Sequence, residues 1–154
     1  MGGSYLMEKT KVLFVCVHNS ARSQMAEAFL KTTGGNDFEV ESAGFEPGEM
    51  NPLVIDVMRE IGIDISQKST KSVFELYKKG RLYNHVITVC DAANAQKCPL
   101  FPGFSKRLTW SFDDPAEFTG SYDEKLLKTR IVRDQIQKQI QEFVAAVRAG
   151  TMSD

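Results

Sequence analysis

Residues 11–31 of the chain read KVLFVCVHNSARSQMAEAFLK, and this stretch decides the fold. Residues 11–15 form a short apolar run whose Val and Phe content is typical of a strand buried on both faces. Residues 16–21 then form a loop, and residues 22–31 have the apolar spacing of a helix. The loop therefore lies at the carboxyl end of a strand and the start of a helix, where open α/β sheets bind their ligands.

Strands and helices continue to alternate along the rest of the chain. Further strands are predicted at residues 38–42, 85–89 and 107–112 from their alternation or their content of β-branched residues. Helices are predicted after Asn51, Ser72 and Ser121, each of which is a favourable N-cap residue. The order βαβαβαβα predicts an α/β fold, a single-domain three-layer sandwich in which a four-stranded parallel sheet carries helices on both faces.

The longest predicted helix begins at Ser121 and ends at Gly150. Its apolar residues are expected to face the core, and its charged and glutamine residues to face solvent. The residues expected inward are Leu127, Ile131, Ile136, Ile140, Phe143, Val144 and Val147, and those expected outward are Lys128, Arg133, Gln137 and Gln141. One catalytic domain is thus predicted at residues 10–150, with residues 1–9 as an N-terminal leader and residues 151–154 as a tail.

The composition is that of an ordinary globular chain. Its 154 residues are 42% hydrophobic and 25% charged, and the net charge of −1 gives no reason to expect a nucleic acid or a membrane surface as partner. No apolar run approaches the ~20 residues of a membrane span, and no secretory signal is visible. Three cysteines, an odd number, favour free thiols over a disulfide scaffold. We therefore expect a cytoplasmic location, and a monomer.

The loop after the first strand has the residues of an anion site. Five residues separate Cys16 from Arg22, enough for a half-circle whose backbone N–H groups point inward at a helix N-terminus. The same field favours the thiolate form of Cys16, which is the nucleophile, and Arg22 can clamp two oxyanion oxygens. The predicted anion-binding residues are Val17, His18, Asn19, Ser20, Ala21, Arg22 and Ser23.

Individual side chains of this loop have more than one interpretation. The Ser23 hydroxyl is expected to hydrogen-bond the thiolate, and Asn19 to brace the loop through its side-chain amide. His18 either contacts substrate or is an exposed loop residue. The spacing of Cys16 and Arg22 is a weak signal by itself, and Cys16 could be only the last buried residue of a strand. The order of strand, loop and helix is what favours the catalytic interpretation.

A general acid is predicted beyond the fourth strand. The sequence Asp113-Asp114-Pro115 follows that strand, at the same edge of the sheet as Cys16, and a carboxyl group there can protonate a leaving oxygen. Asp-Pro is also a common turn starter. Of the two carboxyl groups we choose Asp114, because its pairing with Pro115 matches the family described next.

Residues 12–27, with the Cys-x5-Arg-Ser loop running into Gln24-Met25-Ala26-Glu27, resemble the low-molecular-weight protein tyrosine phosphatases. The motifs Ser42-Ala43-Gly44, Gly62-Ile63-Asp64-Ile65 and Asp113-Asp114-Pro115 follow in the order of that family. Within the superfamily the chain resembles the thioredoxin-coupled arsenate reductases over essentially residues 10–148. The resemblance implies their fold, with a phosphatase-type anion loop after the first strand.

Cys90-Asp91 and Cys98-Pro99 match the two additional redox cysteines of those reductases. The resemblance implies that Cys16 attacks arsenate while Asp114 protonates the departing oxygen. It then implies a disulfide between Cys16 and Cys90, followed by one between Cys90 and Cys98. The implied partners are arsenate, with phosphate or sulfate as competing anions, and thioredoxin or a similar dithiol protein as electron donor. No bound cofactor is implied.

A potassium ion lies beside the loop in some relatives, held by an aspartate near the start of the third helix. The matching position in this chain is Lys71, and no metal is predicted. Our hypothesis is that the Lys71 ammonium occupies the place of the cation and contacts Asn19 and Ser42.

Two other functions remain open at the level of sequence. The first is a low-molecular-weight protein tyrosine phosphatase in which Cys90 and Cys98 are incidental. In phosphatases the Asp-Pro pair is normally followed by aromatic residues that hold a phosphotyrosine ring, whereas Ala116 and Glu117 follow here. The second is a redox sensor or oxyanion-binding protein, which would be oxidised stoichiometrically without turnover.

Overall fold

A parallel sheet of four strands forms the centre of the computed structural model, which describes residues 8–150. The strands are β1 (Thr10–Cys16), β2 (Phe38–Gly44), β3 (His85–Thr88) and β4 (Lys106–Thr109), in the order β2-β1-β3-β4. All three pairings are parallel. The predicted tail, and the predicted leader except for its last two residues, lie outside the described residues.

Helices cover both faces of this sheet. They are α1 (Arg22–Gly34), α2 (Pro52–Arg59), α3 (Val73–Lys78), α4 (Ala92–Ala95) and α5 (Tyr122–Ala149). One face is packed by α1, α2 and α5, and the opposite face by α3 together with side chains of residues 98–101. The predicted three-layer α/β sandwich is confirmed. Among residues 8–150, none of the helices has the length and apolar character to cross a membrane.

The predicted helix starts follow from local capping. The Asn51 side chain accepts a hydrogen bond from the backbone N–H of Leu53 at 2.9 Å, ahead of the proline that begins α2. Ser121 and Glu124 form a reciprocal capping box at the start of α5. These side chains satisfy N–H groups that have no partner within the helix, so the sequence signal and the structure share one cause.

The fourth strand is shorter than predicted. It ends at Thr109 rather than at residue 112, because β3 ends at Thr88 and offers no further ladder partners after the Trp110 N–H to Thr88 carbonyl bond of 2.8 Å. Beyond this point the chain leaves the sheet, and Trp110 packs against Phe14 and Phe143 with ring centroids 5.9 and 5.7 Å apart. This extension brings Phe112 and Asp114 to Arg22, the first residue of α1.

The first half of α5 faces differently from the prediction. Leu127 and Ile131 are 60% and 55% exposed, whereas Arg133, predicted on the solvated face, is 8% exposed. The residues that α5 buries here include Thr129, Arg133 and Ile136. A helix turns by about 200° over two residues, so Leu127 and Ile131, each two positions before a buried residue, point to the opposite side. The hydrophobic pattern failed here because the guanidinium of Arg133 finds partners inside the protein.

Candidate active site

The loop between β1 and α1 turns its carbonyl groups outward. Four backbone N–H groups of residues 45–51, the segment that follows β2, donate to carbonyl oxygens of the loop at 2.8–3.2 Å. In a trans peptide the N–H points opposite to the C=O, so this arrangement turns the N–H of each next residue inward. The pairs are Phe45 N–H to Cys16, Glu46 N–H to Val17, Gly48 N–H to His18, and Asn51 N–H to Ser20. The loop thus has the concave N–H lining that anions require.

The start of α1 leaves its positive end unneutralised. Ala21 stands at the N-cap and supplies no side-chain hydrogen bond, and the first turn contains no acidic residue. Such a helix end carries unpaired N–H groups and a partial positive charge. The absence of a capping side chain, which would be a weakness in an ordinary helix, suits a site that receives an anion.

The end of β2 lies close against the backbone of the loop and restricts its conformation. A Cβ atom on Gly44 would lie 2.7 Å from both the Asn19 nitrogen and the Val17 carbonyl oxygen, so only glycine fits there. Asn19 itself has a positive φ of 55°, which only a few residue types adopt readily. The sequence motif Ser42-Ala43-Gly44 therefore has a steric explanation at its glycine.

Asn19 is the buried centre of the loop's hydrogen bonds and is 0% exposed. Its side-chain amide donates to the Ser23 hydroxyl at 2.8 Å and to the Ser42 hydroxyl at 3.0 Å. Its side-chain oxygen accepts from the Lys71 backbone N–H at 2.9 Å and from Gln24 Nε2 at 3.2 Å. The expected brace by Asn19 is present, and it ties the loop to α1, to β2 and to the segment before α3.

The candidate nucleophile is Cys16, the last residue of β1, which is 3% exposed. Its Sγ atom lies 2.9 Å from the Ser23 hydroxyl and 3.2 Å from the backbone nitrogen of Asn19, which donates to it. Both groups can donate a hydrogen bond to this sulfur. The contact predicted between Ser23 and Cys16 is therefore found.

Arg22 and Asp114 meet above the loop. The Arg22 guanidinium donates to the Phe112 carbonyl oxygen at 3.1 Å, and its Nη2 lies 3.3 Å from Asp114 Oδ2. The other carboxylate oxygen of Asp114 accepts from the Ala116 N–H at 3.0 Å and so caps a short 3₁₀ turn at Pro115–Glu117. Asp114 is thereby aimed at the loop, whereas Asp113 is exposed.

A cavity of about 660 Å³ opens over this pair. Val17, His18 and Arg22 line it from the loop, and His18 is exposed with its Nδ1 atom 2.9 Å from the Glu46 carbonyl oxygen. Neither Ser20 nor Ala21 is among the lining residues, so both would contribute through the backbone. The acidic lining residues are Asp91, Asp113, Asp114 and Glu117, and the other polar ones include Asn94, Ser111 and Gln135.

All three cysteines are free thiols, and none of them is among the residues that line the cavity. Cys90 follows β3, the strand beside β1, and is 0% exposed. Burial raises the pKa of its thiol to about 11, while the nearby Arg22 charge opposes the rise and the Cys16 charge adds to it. Cys90 is therefore close enough to feel both residues of the loop.

Cys98 belongs to the core on the opposite face of the sheet from the core that contains Cys16. It is 5% exposed and belongs to the cluster that includes Val15, Val86 and Phe101. Burial raises the pKa of its thiol, and Arg107 acts in the opposite direction by charge and hydrogen bond. The structure thus groups Cys16, Asn19, Arg22, Ser23 and Asp114 through direct contacts, with Cys90 after the neighbouring strand and Cys98 in the second core.

The hypothesis about the Lys71 ammonium is wrong. Its Nζ atom pairs with Glu41 Oε2 at 3.3 Å, and only the backbone N–H of Lys71 reaches Asn19. The Ser42 hydroxyl instead donates to Glu27 Oε1 at 2.5 Å, and the ammonium groups of Lys31 and Lys68 both lie 2.6 Å from Glu27 Oε2. Because two ammonium groups already neutralise this carboxylate, the residues present do not fit a potassium ion.

Sequence reasoning missed Gln24 and Glu27 as parts of the site's support. Both are polar residues on α1 and are 1% and 2% exposed. Their spacing of three residues places both side chains on one face of α1, which could have been recognised from the sequence. A polar pair at this spacing, however, ordinarily indicates a face exposed to solvent. The cavity residues Asn94 and Gln135 carry no local signal, because only the tertiary fold brings them to Arg22. Across residues 8–150 no group of three or more His, Cys, Asp or Glu side chains is placed to hold a metal ion.

Comparison with known proteins adds to this geometry. The family model described as low molecular weight phosphotyrosine protein phosphatase matches residues 11–152. An arsenate reductase of Halalkalibacterium halodurans is 43% identical over 138 residues, which are 89% of this chain and 96% of that protein. Of the described residues, only residues 8–10 lie outside the family match.

Solved structures agree with the sequence matches. An arsenate reductase in the phosphate binding state is similar with a TM-score of 0.71 and 33% identity, over 88% of this chain and 97% of that one. The thioredoxin-dependent arsenate reductase of Corynebacterium glutamicum is similar with a TM-score of 0.69 and 28% identity, over 92% of this chain and 63% of that one.

Proposed function

Because the chain belongs to the low molecular weight phosphotyrosine protein phosphatase family, we propose that it reduces arsenate to arsenite by a relay of three thiols. The observation that carries the proposal is the position of Cys90, a buried thiol just past the end of β3, which is the strand beside the one that ends at Cys16. A hydrolase has no use for a second thiol at this place. The names of the relatives, which are arsenate reductases, support the choice of oxyanion.

The first step is attack by the Cys16 thiolate on arsenate bound in the loop. Inward N–H groups and the Arg22 guanidinium hold three oxygens, and the carboxyl group of Asp114 gives its proton to the fourth, which leaves as water. Arg22 pairs with Asp114 at 3.3 Å before substrate arrives. The oxyanion would replace that carboxylate as the partner of Arg22, which leaves Asp114 free to take up and transfer a proton.

The second step transfers two electrons to arsenic. The Cys90 thiolate attacks Cys16 Sγ, a disulfide forms between the two sulfurs, and the electron pair of the sulfur–arsenic bond stays on arsenic, which leaves as arsenite. The two cysteines come from the ends of neighbouring parallel strands. The register places Cys90 one residue beyond the position opposite Cys16. With strands about 4.8 Å apart and a rise of about 3.3 Å per residue, the two Cα atoms would lie about 6 Å apart, which is within the Cα separation of bridged cysteines.

The third step passes the disulfide outward. The Cys98 thiolate attacks Cys90 Sγ, a Cys90–Cys98 disulfide forms, and Cys16 departs as a thiolate ready for another arsenate. Cys98 lies in the second core beside Val86, and its charge acts on the Cys90 thiol, so we expect the segment from Asp91 to Lys97 to adjust as the two sulfurs form their bond. Thioredoxin or a similar dithiol protein of the cytoplasm would then reduce this bridge.

The lining of the cavity argues against an aryl phosphate as the preferred substrate. Glu117 is exposed at its edge, where the phosphatases of this family carry an aromatic residue, and it would repel the acidic groups of a phosphopeptide. The anion loop itself makes no distinction among tetrahedral oxyanions. Phosphate and sulfate are therefore expected to compete with arsenate for the same N–H groups.

The proposal is tested by arsenate-dependent NADPH oxidation with thioredoxin and thioredoxin reductase. Wild-type protein should turn over, whereas Cys98→Ser should release about one arsenite per chain and stop at a Cys16–Cys90 disulfide, which mass spectrometry identifies. Cys16→Ser should show no chemistry at all. A glutaredoxin system replaces thioredoxin in a parallel reaction, because both donors supply dithiols.

Two results would contradict the proposal in different ways. Sustained turnover by Cys98→Ser would mean that no relay through Cys98 exists. No arsenate reduction with either donor, together with steady hydrolysis of an aryl phosphate, would identify the protein as a phosphatase in which Cys90 and Cys98 have no redox role.

A further inference from the structure

We propose that Arg107 is a positioning residue for the third thiol: it holds Cys98 in place and stabilises its thiolate for attack on Cys90. This inference rests on the proposed relay and assigns a role to a residue outside the cavity. The contact that supports it is a hydrogen bond from Arg107 Nη2 to the Cys98 carbonyl oxygen at 3.3 Å. No other part of the relay explains an arginine at this place.

The sheet register directs Arg107 to Cys98. Arg107 stands opposite Val86 on the neighbouring parallel strand, and residues opposite each other share a face of the sheet. Val86 belongs to the same core cluster as Cys98, whereas Leu108, the next residue along β4, packs against the other core. The alternation along β4 therefore places the exposed Arg107 side chain, and not that of its neighbour Leu108, on the face of the sheet where Cys98 lies.

Charge gives this contact a chemical consequence. Cys98 is 5% exposed, and burial raises the pKa of its thiol. A thiol so buried would contain little thiolate at neutral pH and would attack a disulfide slowly. The charge and the hydrogen bond of Arg107 act against this rise. The guanidinium is always protonated, so its effect persists over the whole working pH range.

The exchange that Arg107 would assist involves no net oxidation. The Cys98 thiolate bonds to Cys90 Sγ, the bond between Cys16 and Cys90 breaks, and the electron pair leaves on Cys16 Sγ. Negative charge thus moves from Cys98 to Cys16, from the field of Arg107 to the anion loop with its N–H groups and Arg22. Each end of this transfer has one arginine, and each arginine stabilises the thiolate that lies beside it.

The direct test is a pH titration of the Cys98 thiol by the ultraviolet absorbance of its thiolate. Cys16→Ser/Cys90→Ser protein leaves Cys98 as its single cysteine, and subtracting the titration of the variant that also lacks Cys98 removes the tyrosine signal. Arg107→Gln should raise the midpoint, so that about three- to tenfold less thiolate is present near neutral pH. Arg107→Lys should recover most of the loss because it retains the charge.

A matched control is Lys106→Gln, which removes the same charge from the other face of the same strand. It should leave the midpoint of Cys98 nearly unchanged. In otherwise wild-type protein, Arg107→Gln should accumulate the Cys16–Cys90 disulfide during turnover, because the third step becomes slow. An unchanged midpoint in Arg107→Gln, or an equal shift in Lys106→Gln, would overturn the inference.

The titration is independent of the proposed function. It uses no arsenate and no electron donor, so a protein that fails to reduce arsenate can still give the shifted midpoint. In that case the role of Arg107 in stabilising the Cys98 thiolate would stand and the reaction would have to be reassigned. Conversely, turnover without a midpoint shift would retain the relay and reject Arg107.

Discussion

Asn19 joins the anion loop to three other parts of the molecule through one amide side chain. Its left-handed backbone conformation, with φ of 55°, costs a non-glycine residue about 1 kcal/mol. The hydrogen bonds to Ser23 and Ser42, and those it accepts from Lys71 and Gln24, hold it in that conformation. A glycine would relieve the backbone strain but would leave these buried groups without their partner. The hydrogen bonds of the Asn19 side chain thus compensate for the strain and hold the loop in one conformation before substrate binds.

Asp114 is expected to act as the acid of the first step. Asp114→Asn keeps the size of the side chain but removes the transferable proton, so arsenate turnover should fall by about a hundredfold or more. Binding of phosphate should persist, because the loop N–H groups and Arg22 are unchanged. Turnover rates and phosphate dissociation constants would be measured together. Asp113→Asn is the matched control and should retain activity; the reverse pattern would make Asp113 the acid.

In the proposed relay, Cys90 would give the second step its own pH dependence. Its pKa of about 11, raised by burial, means that the thiolate is a minority below that pH and increases about tenfold per pH unit. Single-turnover formation of the Cys16–Cys90 disulfide in Cys98→Ser, followed by mass spectrometry, should therefore accelerate from about pH 7 to about pH 9. The acid-assisted first step should change in the opposite sense. A flat profile for the disulfide step would show that Cys90 ionises by another route.

At the scale of elements, α5 departs most from the sequence pattern. The Arg133 guanidinium donates to the Val57 carbonyl oxygen at 2.9 Å and pairs with Glu60 at 2.9 Å, which joins α5 to the end of α2. Arg130 lies one turn earlier and also pairs with Glu60, at 2.7 Å, but its side chain is 38% exposed. The same partner is thus shared by one buried and one exposed arginine.

These two arginines predict different effects on stability. Arg133→Ala should lower the free energy of unfolding by about 1–3 kcal/mol, because it leaves the buried Val57 carbonyl oxygen without its donor, while Glu60 keeps its pair with Arg130. Arg130→Ala should change it little, since solvent screens the exposed pair. Urea unfolding of both variants measures the difference. Equal losses would show that Glu60 alone, and not burial, determines the contribution.

Element boundaries were predictable where the cause is local. The caps at Asn51 and Ser121 lie in the sequence beside the N–H groups they satisfy, and both helices begin as predicted. The end of β4 was not predictable in this way, because Thr109 ends the strand only where the partner strand stops. The burial of Arg133 likewise depends on a carbonyl group 76 residues away.

At the scale of the whole molecule, the alternation of strands and helices was sufficient to predict the sheet and its layers. The loop, Arg22 and Asp114 were predictable as a group, because the carboxyl ends of parallel strands meet at one edge. Gln24, Glu27 and Arg107 were not predicted, since their importance comes from side chains that the fold brings to them. Sequence periodicity indicates which side chains share one face of a helix or strand, but it does not indicate which residues of other elements that face contacts.

His85 links the stability of the whole molecule to pH. It is 6% exposed, neither ring nitrogen has a hydrogen-bond partner in the described structure, and its ring lies 5.1 Å from that of Phe143. Burial, with the Lys106 charge, lowers its pKa from the ordinary 6.5. The folded state therefore binds its proton less readily than the unfolded state, so stability is fully present above about pH 6.5 and is lost as pH falls below it.

His85→Leu should remove this dependence. Between about pH 6.5 and pH 5 the wild type should lose up to about 1.4 kcal/mol per pH unit that the variant retains. Urea unfolding at several pH values measures both slopes. Carboxylates whose pKa is lowered, Glu27 and Glu41 among them, lose their contributions only below about pH 4.5 and so fall outside this window. Parallel slopes above pH 5 would assign the effect to other groups.

The strand order has a consequence for how such a protein can arise. β1 ends at Cys16, and Cys90 lies just past the end of β3, its immediate neighbour. Cys90 is one residue beyond the position opposite Cys16, so the strand spacing of about 4.8 Å and one rise of about 3.3 Å give a Cα separation of about 6 Å, in the range that a disulfide needs. A hydrolytic ancestor with this topology would need only one cysteine codon after β3 to gain a first redox step. Hydrolysis and electron transfer are therefore close neighbours in sequence space on this scaffold, and an exchange between them requires no change of fold.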